Sequence, residues 1–399
     1  MRLGFYHRGV VDFTLTPEQE ALRDLARDFA TREIRPVAWD LDRSGGWPRD
    51  VIAKAHAVGL MNPYLPRRYG GPQLGTLDVA LIEEELAWGC AGIQTALGAN
   101  GLAMTPVLLA GSETVQQEFF TELAERPCLA SFCLTEPGAG SDAAALSLSA
   151  EKRGTKYTLR GSKAFVSNGG HADWLVVFAR TGGAGPGGIS AFLVRRDESI
   201  IADREEDKLG QRAANTVPVT FDGTEVDARY MLGAEGSGFA LAMNTLDRTR
   251  PSVAAMAVGI ARAALEYAAG HAREREQFGR PLAEHQGIQF MIADMATKVH
   301  LSRLAVWNAA ICVDQGKPSR AQSAHAKRFA ADSAMEVTTD AVQIYGGYGY
   351  LRDYPVEKLM RDAKIMQLYE GTSQIQRLVI AREVLMPRKV EQPAAAAAA

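Results

Sequence analysis

Trp174-Leu175-Val176-Val177-Phe178-Ala179-Arg180, a glycine-rich break from Gly182 to Gly188, and Ile189-Ser190-Ala191-Phe192-Leu193-Val194 form the stretch on which the fold turns. Each run is short, rich in β-branched and aromatic residues, and bounded by glycines, which reads as strand, turn, strand. Lys156–Gly161 and Val217–Phe221 repeat the texture, so a β block runs from about residue 129 to 240.

On either side the pattern is helical. Upstream, Thr16 can cap a helix with Pro17 at its first position and Gln19 completing a capping box. Leu22, Leu25, Ala26 and Phe29 then share one face. Further helices are predicted at about 50–59, 76–88, 93–110 and 112–124. Beyond Gly238 long helical periods return, with Val253, Met256, Ala257 and Ile260 on one face, punctuated by Gly279-Arg280-Pro281, Gly316-Lys317-Pro318 and Gly346-Gly347. The expectation is an α+β chain: a helical domain over 12–128, a β domain over 129–240, a helical domain over 241–386 and a flexible tail over 387–399.

The 399 residues suffice for several cores, and a net charge of −3 gives no global reason for nucleic-acid binding. Cys90, Cys128, Cys133 and Cys312 form no metal-like pattern, and a reduced intracellular protein is expected. No uninterrupted apolar run approaches the roughly 18 residues of a membrane span. No signal or transit peptide is evident at the N-terminus, so a cytoplasmic, bacterial location is expected.

Five stretches carry candidate chemistry. Phe132–Asp142 places Gly138 and Gly140 before Ser141, a loop that lets an anion such as a pyrophosphate approach backbone N–H groups; a surface turn uses the same residues, and no βαβ pattern supports a Rossmann unit. Tyr369–Arg377 breaks a helix at Gly371 and restarts it at Thr372 or Ser373, with Gln376 able to box with Ser373. Glu370 is thereby held at a junction among Ile365, Leu368 and Tyr369, where a raised pKa would suit a general base and a solvated glutamate is the plain alternative. Asp247–Pro251, Arg273–Gln286 and Gln343–Tyr350 offer arginines, aromatics and glycines that fit either phosphate and ring contacts or solvated helix faces and ends. His271, His300 and His325 read as ordinary helix residues.

Together these stretches resemble the acyl-CoA dehydrogenase family, closest to its medium-chain members, over about residues 12–386. The resemblance is carried by LTEPGAGSD (134–142) with SNGG (167–170), by REQFGRPLAEHQ (275–286), and by QIYGGYGY (343–350) through PVEKLMRDAKIMQLYEGTSQIQR (355–377). It implies an N-terminal helical domain, a central β-barrel-like domain and a C-terminal four-helix bundle, with FAD between the last two.

Residue by residue, the resemblance implies flavin contacts from Phe132, Leu134, Thr135, Gly140 and Ser141, and from Phe165, Val166 and Ser167, where many relatives carry Trp for Phe165 and Thr for Ser167. Arg275, Phe278, His285, Gln286, Gln343, Ile344, Gly346 and Gly347 would reach the FAD of a neighbouring subunit in a dimer-of-dimers homotetramer, with Thr372 and Gln374 at the adenosine half. Ser141, Asp247, Thr249 and Arg250 would meet the substrate, Gly371 would lie beside it, and Gln94 and Gly98 would sit at the foot of the acyl pocket. Medium-chain relatives carry a bulky acid where Gly98 stands, so glycine points to medium or long chains. Glu370 matches the base; some relatives place it where Thr249 stands, and threonine cannot do that work. The implied reaction forms a trans-2-enoyl-CoA, with an electron-transferring flavoprotein as re-oxidant. An acyl-CoA oxidase is disfavoured by the lack of a further C-terminal domain. A non-dehydrogenating member that binds nucleic acid or a partner is disfavoured by Glu370 and the charge.

Overall fold

Thr16 opens the first helix by the predicted chemistry. Its hydroxyl accepts from the Gln19 N–H at 3.2 Å, and the Gln19 carboxamide accepts from the Thr16 N–H at 3.1 Å, ahead of α1 (Pro17–Phe29). The computed structural model describes residues 13–317 and 319–386; the tail expected over 387–399 and Pro318 lie outside them. Helices α2 (Arg35–Ser44), α3 (Arg49–Ala57), α4 (Thr76–Ala110) and α5 (Glu113–Glu125) complete the first block. The two helices predicted within α4 meet at Cys90, whose extended backbone (φ −166°, ψ 117°) kinks the axis.

The third block consists of α6 (Gly238–Glu274), α7 (Gln286–Asp314), α8 (Arg320–Tyr345), α9 (Pro355–Lys364) and α10 (Ser373–Leu385). α4 and α6 are each long and apolar enough to cross a membrane, and 61% of the apolar window of each is buried within the protein. Their apolarity is that of a central core pair. One core joins the two helical blocks, running from Ala26 and Phe29 through Leu86 and Ala87 to Ile260, Ala264, Val337 and Met366.

The crossing of α4 and α6 is close because Gly259 permits it: a side-chain carbon there would overlap the Glu84 carbonyl. Ion pairs lock the same contact. Arg262 on α6 meets Glu84 at 3.2 Å and Glu85 at 2.7 Å, and Arg303 on α7 reaches Glu84 at 2.7 Å.

Between the helical blocks lies a curled seven-stranded sheet: β1 (Ala130–Cys133), β2 (Ser149–Arg153), β3 (Lys156–Ser167), β4 (Trp174–Arg180), β5 (Ile189–Arg195), β6 (Ile200–Ala202) and β7 (Thr216–Asp227). β4 pairs with β1 in parallel and with β5 antiparallel, while β2, β3, β7 and β6 form an antiparallel run joined to β4 only at Ser149 and Arg180. That narrow junction lets the two parts bend around a shared core of Leu175, Val177, Phe192, Val219 and Phe221.

A β-bulge interrupts the β3–β7 register between Lys163 and Val166 and turns Phe165 outward at φ +56°. The neighbouring Lys163 is wholly buried and meets Glu136 at 2.8 Å. Glu136 also accepts from the N–H groups of Ser147 (2.6 Å) and Leu148 (2.9 Å), and the Ala164 N–H donates to the Thr135 carbonyl at 2.8 Å. The glycine loop is thus tied to the bulge. Removing one member of a buried ion pair strands its partner. Lys163→Met is therefore expected to lower unfolding free energy by about 3–5 kcal/mol in urea titration; a loss under about 1 kcal/mol would show that the pair does not hold the loop.

Candidate functional site

Glu370 follows a single 3₁₀ turn (Ile365–Gln367) and adopts a left-handed backbone at φ +55°, which is rare for a residue with a side chain. Neighbours fix that conformation. Arg250 Nε donates to its carbonyl at 3.4 Å and Gln376 Nε2 does so at 3.3 Å; Lys327 Nζ and Gln376 Nε2 hold the Gly371 carbonyl at 2.8 and 3.0 Å. Thr372, rather than Ser373, caps α10 by accepting from Ile375 N–H at 3.1 Å, which frees Gln376 for this clamp. The Glu370 N–H has no hydrogen-bond partner among the described residues.

The carboxyl of Glu370 is pushed up by burial. Arg250, a hydrogen bond from Thr249 Oγ1 (3.2 Å) and Lys327 pull the other way without cancelling the effect. Lys327 is itself drawn down to about 8, chiefly by burial, with the Glu370 charge opposing. Arg250 is set by Asp247, which also pairs with Arg320 at 2.8 Å. Pro251 cannot donate to the Asp247 carbonyl four residues back, and the Ser323 hydroxyl supplies that bond at 3.0 Å. Asp247, expected at the substrate, therefore has its carboxylate and carbonyl engaged by the protein.

Glu370 faces a cavity of about 290 Å³. One wall comes from the glycine loop and the bulge: Phe132, Leu134, Thr135, Gly140, Ser141, Phe165 and Ser167, all expected there, line it. Val166 lies one layer behind, in the sheet core. The hydroxyls of Thr135, Ser141 and Ser167 have no protein partner among the described residues, and Phe165 is 65% exposed beside them. Free hydroxyls around an apolar slot with an aromatic rim suit a planar ring system with polar edges, so these residues fit a flavin. Thr249, Arg250 and Gly371 line the cavity with Glu370.

Across the cavity, α4 contributes Glu83, Thr95 and Gly98. Gln94, expected as a substrate contact, is buried and bonds the Glu83 carboxylate. A side-chain carbon at Gly98 would lie 3.1 Å from the Gln94 amide nitrogen and 3.3 Å from Glu83 Oε1. The open passage that glycine implies there is therefore closed by a polar pair. Sequence reasoning missed Glu83, Lys327 and Tyr369, whose hydroxyl donates to Met366 sulfur at 2.9 Å at the cavity edge. The available signal for Glu83 was three consecutive glutamates inside an otherwise apolar helix, all of them buried.

The remaining expected contacts lie off the cavity. Arg275 ends α6, Phe278 tops the tight ribbon of β8 (Glu276–Gln277) and β9 (Arg280–Pro281), His285 and Gln286 begin α7, and Gln343 to Gly347 end α8. Phe278 is 94% exposed at φ +54°, with the His285 ring 6.1 Å away, and Arg275 lies over Tyr348 at 5.5 Å. Thr372 and Gln374, at the start of α10, also lie outside the cavity lining.

A buried carboxyl opposite a hydroxyl-lined slot has the chemistry to take a proton from carbon. Comparison with known proteins identifies the family. The acyl-CoA dehydrogenase N-terminal, middle and C-terminal domain models match residues 16–126, 131–224 and 236–385. A cyclohex-1-ene-1-carbonyl-CoA dehydrogenase of Geobacter metallireducens is 44% identical, covering 94% of this chain and 99% of its own. Butyryl-CoA dehydrogenase from Megasphaera elsdenii superposes with a TM-score of 0.92 at 40% identity, covering 94% of this chain and all of its own. A chain from a structure described as the electron transferring flavoprotein of Acidaminococcus fermentans, bearing on flavin-based electron bifurcation, gives 0.92 at 44% identity, again over 94% of this chain and all of its own. The chain belongs to the acyl-CoA dehydrogenase family of flavin-dependent oxidoreductases.

Proposed function

We propose that the chain converts an acyl-CoA of medium length, or one of comparable bulk, to the trans-2-enoyl-CoA, with FAD as cofactor and Glu370 as the base. The observation that carries this reading is the Glu370 carboxyl, buried and raised in pKa, in the cavity that Thr135, Ser141 and Ser167 line with free hydroxyls. FAD, when bound, supplies the acceptor for the β-hydride. The chain's residues do the rest. Glu370 takes the α-proton, and its unpartnered N–H is a donor available to the thioester oxygen as enolate charge develops. Arg250, Gln376 and Lys327 keep the base and that N–H in register, and the apolar walls exclude water. The Glu83–Gln94 wall behind Gly98 favours medium chains over long ones.

An electron-transferring flavoprotein is the proposed re-oxidant, in line with the similarity to a chain in the Acidaminococcus structure. A homotetramer is the proposed assembly. Arg275 follows Thr249 by 26 residues along α6, roughly 40 Å at 1.5 Å per residue, so Arg275 and Phe278 stand far from their own chain's cavity and free to meet a neighbour's cofactor.

Anaerobic titration of the yellow enzyme with an acyl-CoA ladder tests the reading, because substrates bleach the flavin. Glu370→Gln is expected to stay yellow and to lose reduction rate by about 10²–10⁴-fold; bleaching at the wild-type rate would place the base elsewhere. The base must be ionised to accept a proton, so kcat/KM should rise with pH through a limb above the ordinary carboxylate range. The Thr249 hydrogen bond lowers the Glu370 pKa, so Thr249→Val is expected to move that limb to higher pH. A limb that stays put or moves down would remove Thr249 from this role.

A further inference from the structure

Glu83 is a buried carboxyl in the substrate cavity that the α-proton chemistry does not use. It projects from α4 to the side of the cavity at Gly98, where the absent side chain leaves its Oε1 within 3.3 Å of the position a Cβ would take. Its Oε2 is occupied by Gln94. Its Oε1 has no hydrogen-bond partner among the described residues and opens on the cavity. The Gln94 carbonyl oxygen is buried and also unpartnered. The other lining groups nearby, Leu102, Ala99 and the ring of Tyr64, are apolar or already bonded, the Tyr64 hydroxyl to Ser252 at 2.9 Å.

An acyl pocket for plain hydrocarbon has no need of a carboxyl at its wall. Burying an alkyl end against an unsatisfied carboxyl wastes its hydrogen bond, and a site built around such a bond discriminates strongly against ligands that cannot make it. Burial and the Glu370 charge push Glu83 up to about 8, so at neutral pH it is chiefly the neutral acid, a donor through O–H. Among the described residues no cation stands beside it: the cavity's arginine, Arg250, is engaged with Asp247 and the Glu370 backbone. A terminal carboxylate would therefore meet no counter-charge there, whereas a neutral oxygen would meet a donor.

Resting on the acyl-CoA dehydrogenase reading of this cavity, we propose that Glu83 is a specificity-determining residue whose carboxyl donates a hydrogen bond to a neutral oxygen, a keto or hydroxyl group, carried by the acyl chain away from the thioester. The substrates so favoured are oxygenated acyl-CoAs. Gln94 holds the carboxyl in place, and Gly98 leaves the room for the oxygen to reach it. The reaction at the α and β carbons is unchanged, and Glu83 takes part in no proton transfer.

The test compares straight-chain acyl-CoAs from hexanoyl to decanoyl with their (ω−1)-oxo counterparts of equal length, in wild type, Glu83→Gln and Glu83→Leu, by kcat/KM with an artificial electron acceptor. Flavin content serves as the folding control. Wild type is expected to favour the oxo member of at least one pair by roughly tenfold or more. Glu83→Gln keeps an N–H donor and should keep that preference, while Glu83→Leu should reverse it by favouring the plain chain. A wild type that prefers the plain chain at every length overturns the proposal whatever the variants do. An unchanged oxo-to-plain ratio in a flavin-replete Glu83→Leu also overturns it. Failure of wild type to reduce its flavin with any acyl-CoA would instead sink the reaction assigned above.

Discussion

The active-site geometry depends on how closely α4 can approach α6. Gly259 lets the two backbones touch at Glu84, and the arginines of α6 and α7 then neutralise Glu84 and Glu85, which that approach buries. One helix carries Glu83, Thr95 and Gly98 and the other carries Thr249 and Arg250, so their separation sets the width of the cavity. A missing side chain in one core contact thereby fixes the distance between Thr249 and Arg250, which hold Glu370, and the far wall of the pocket. The ion pairs add selectivity to this contact more than strength: a buried carboxylate without its arginine would be costly, so alternative registers of the two helices are penalised.

The two buried carboxyls of the cavity show how surroundings divide labour between identical groups. Both are raised by desolvation. Glu370 has Arg250, the Thr249 hydroxyl and Lys327 to favour its ionised form against that desolvation. Glu83 has only a neutral amide, and the nearby Glu370 charge pushes its pKa further up. One environment supports a carboxylate and the other a neutral acid able to donate a hydrogen bond, in a single cavity and from the same side chain. Lys327 belongs to the same balance. Its amine donates to the Gly371 carbonyl and so serves backbone geometry and electrostatics together.

Much of this was legible in the sequence because it rests on local rules. The Thr16 capping box, the strands around the glycine run from Gly182 to Gly188 and the helix start after Thr372 each follow from spacing within a few residues, although the preceding helix ends at Lys364 and its 3₁₀ turn at Gln367, before Gly371. Glu370 could be located by its junction and by family resemblance, and the loop from Phe132 to Ser141 by its glycines. What stayed hidden depends on long-range contacts. Glu84 and Glu85 are buried by contacts with Arg262 and Arg303 on α6 and α7, more than 150 residues away. Thr372 caps α10 while Gln376 serves the Glu370 and Gly371 carbonyls, and the outward turn of Phe165 follows from a slip in pairing with β7.

The same distinction explains why the consequence expected of Gly98 differs from the structure. A missing side chain on a helix reads as free volume when only that helix is considered. Here the volume is already bounded by a side chain from the preceding turns of α4, because residues 83, 94 and 98 converge on the cavity across the Cys90 kink. An unbroken helix would place residues 83 and 94 about 16 Å apart along its axis, too far for their side chains to bond directly. The kink at Cys90 folds the two halves of α4 toward each other and brings Gln94 onto Glu83. The glutamate run marks α4 as unusual, but the pairing of Gln94 with Glu83 at the pocket's far wall is a product of backbone geometry that no periodicity along α4 would reveal.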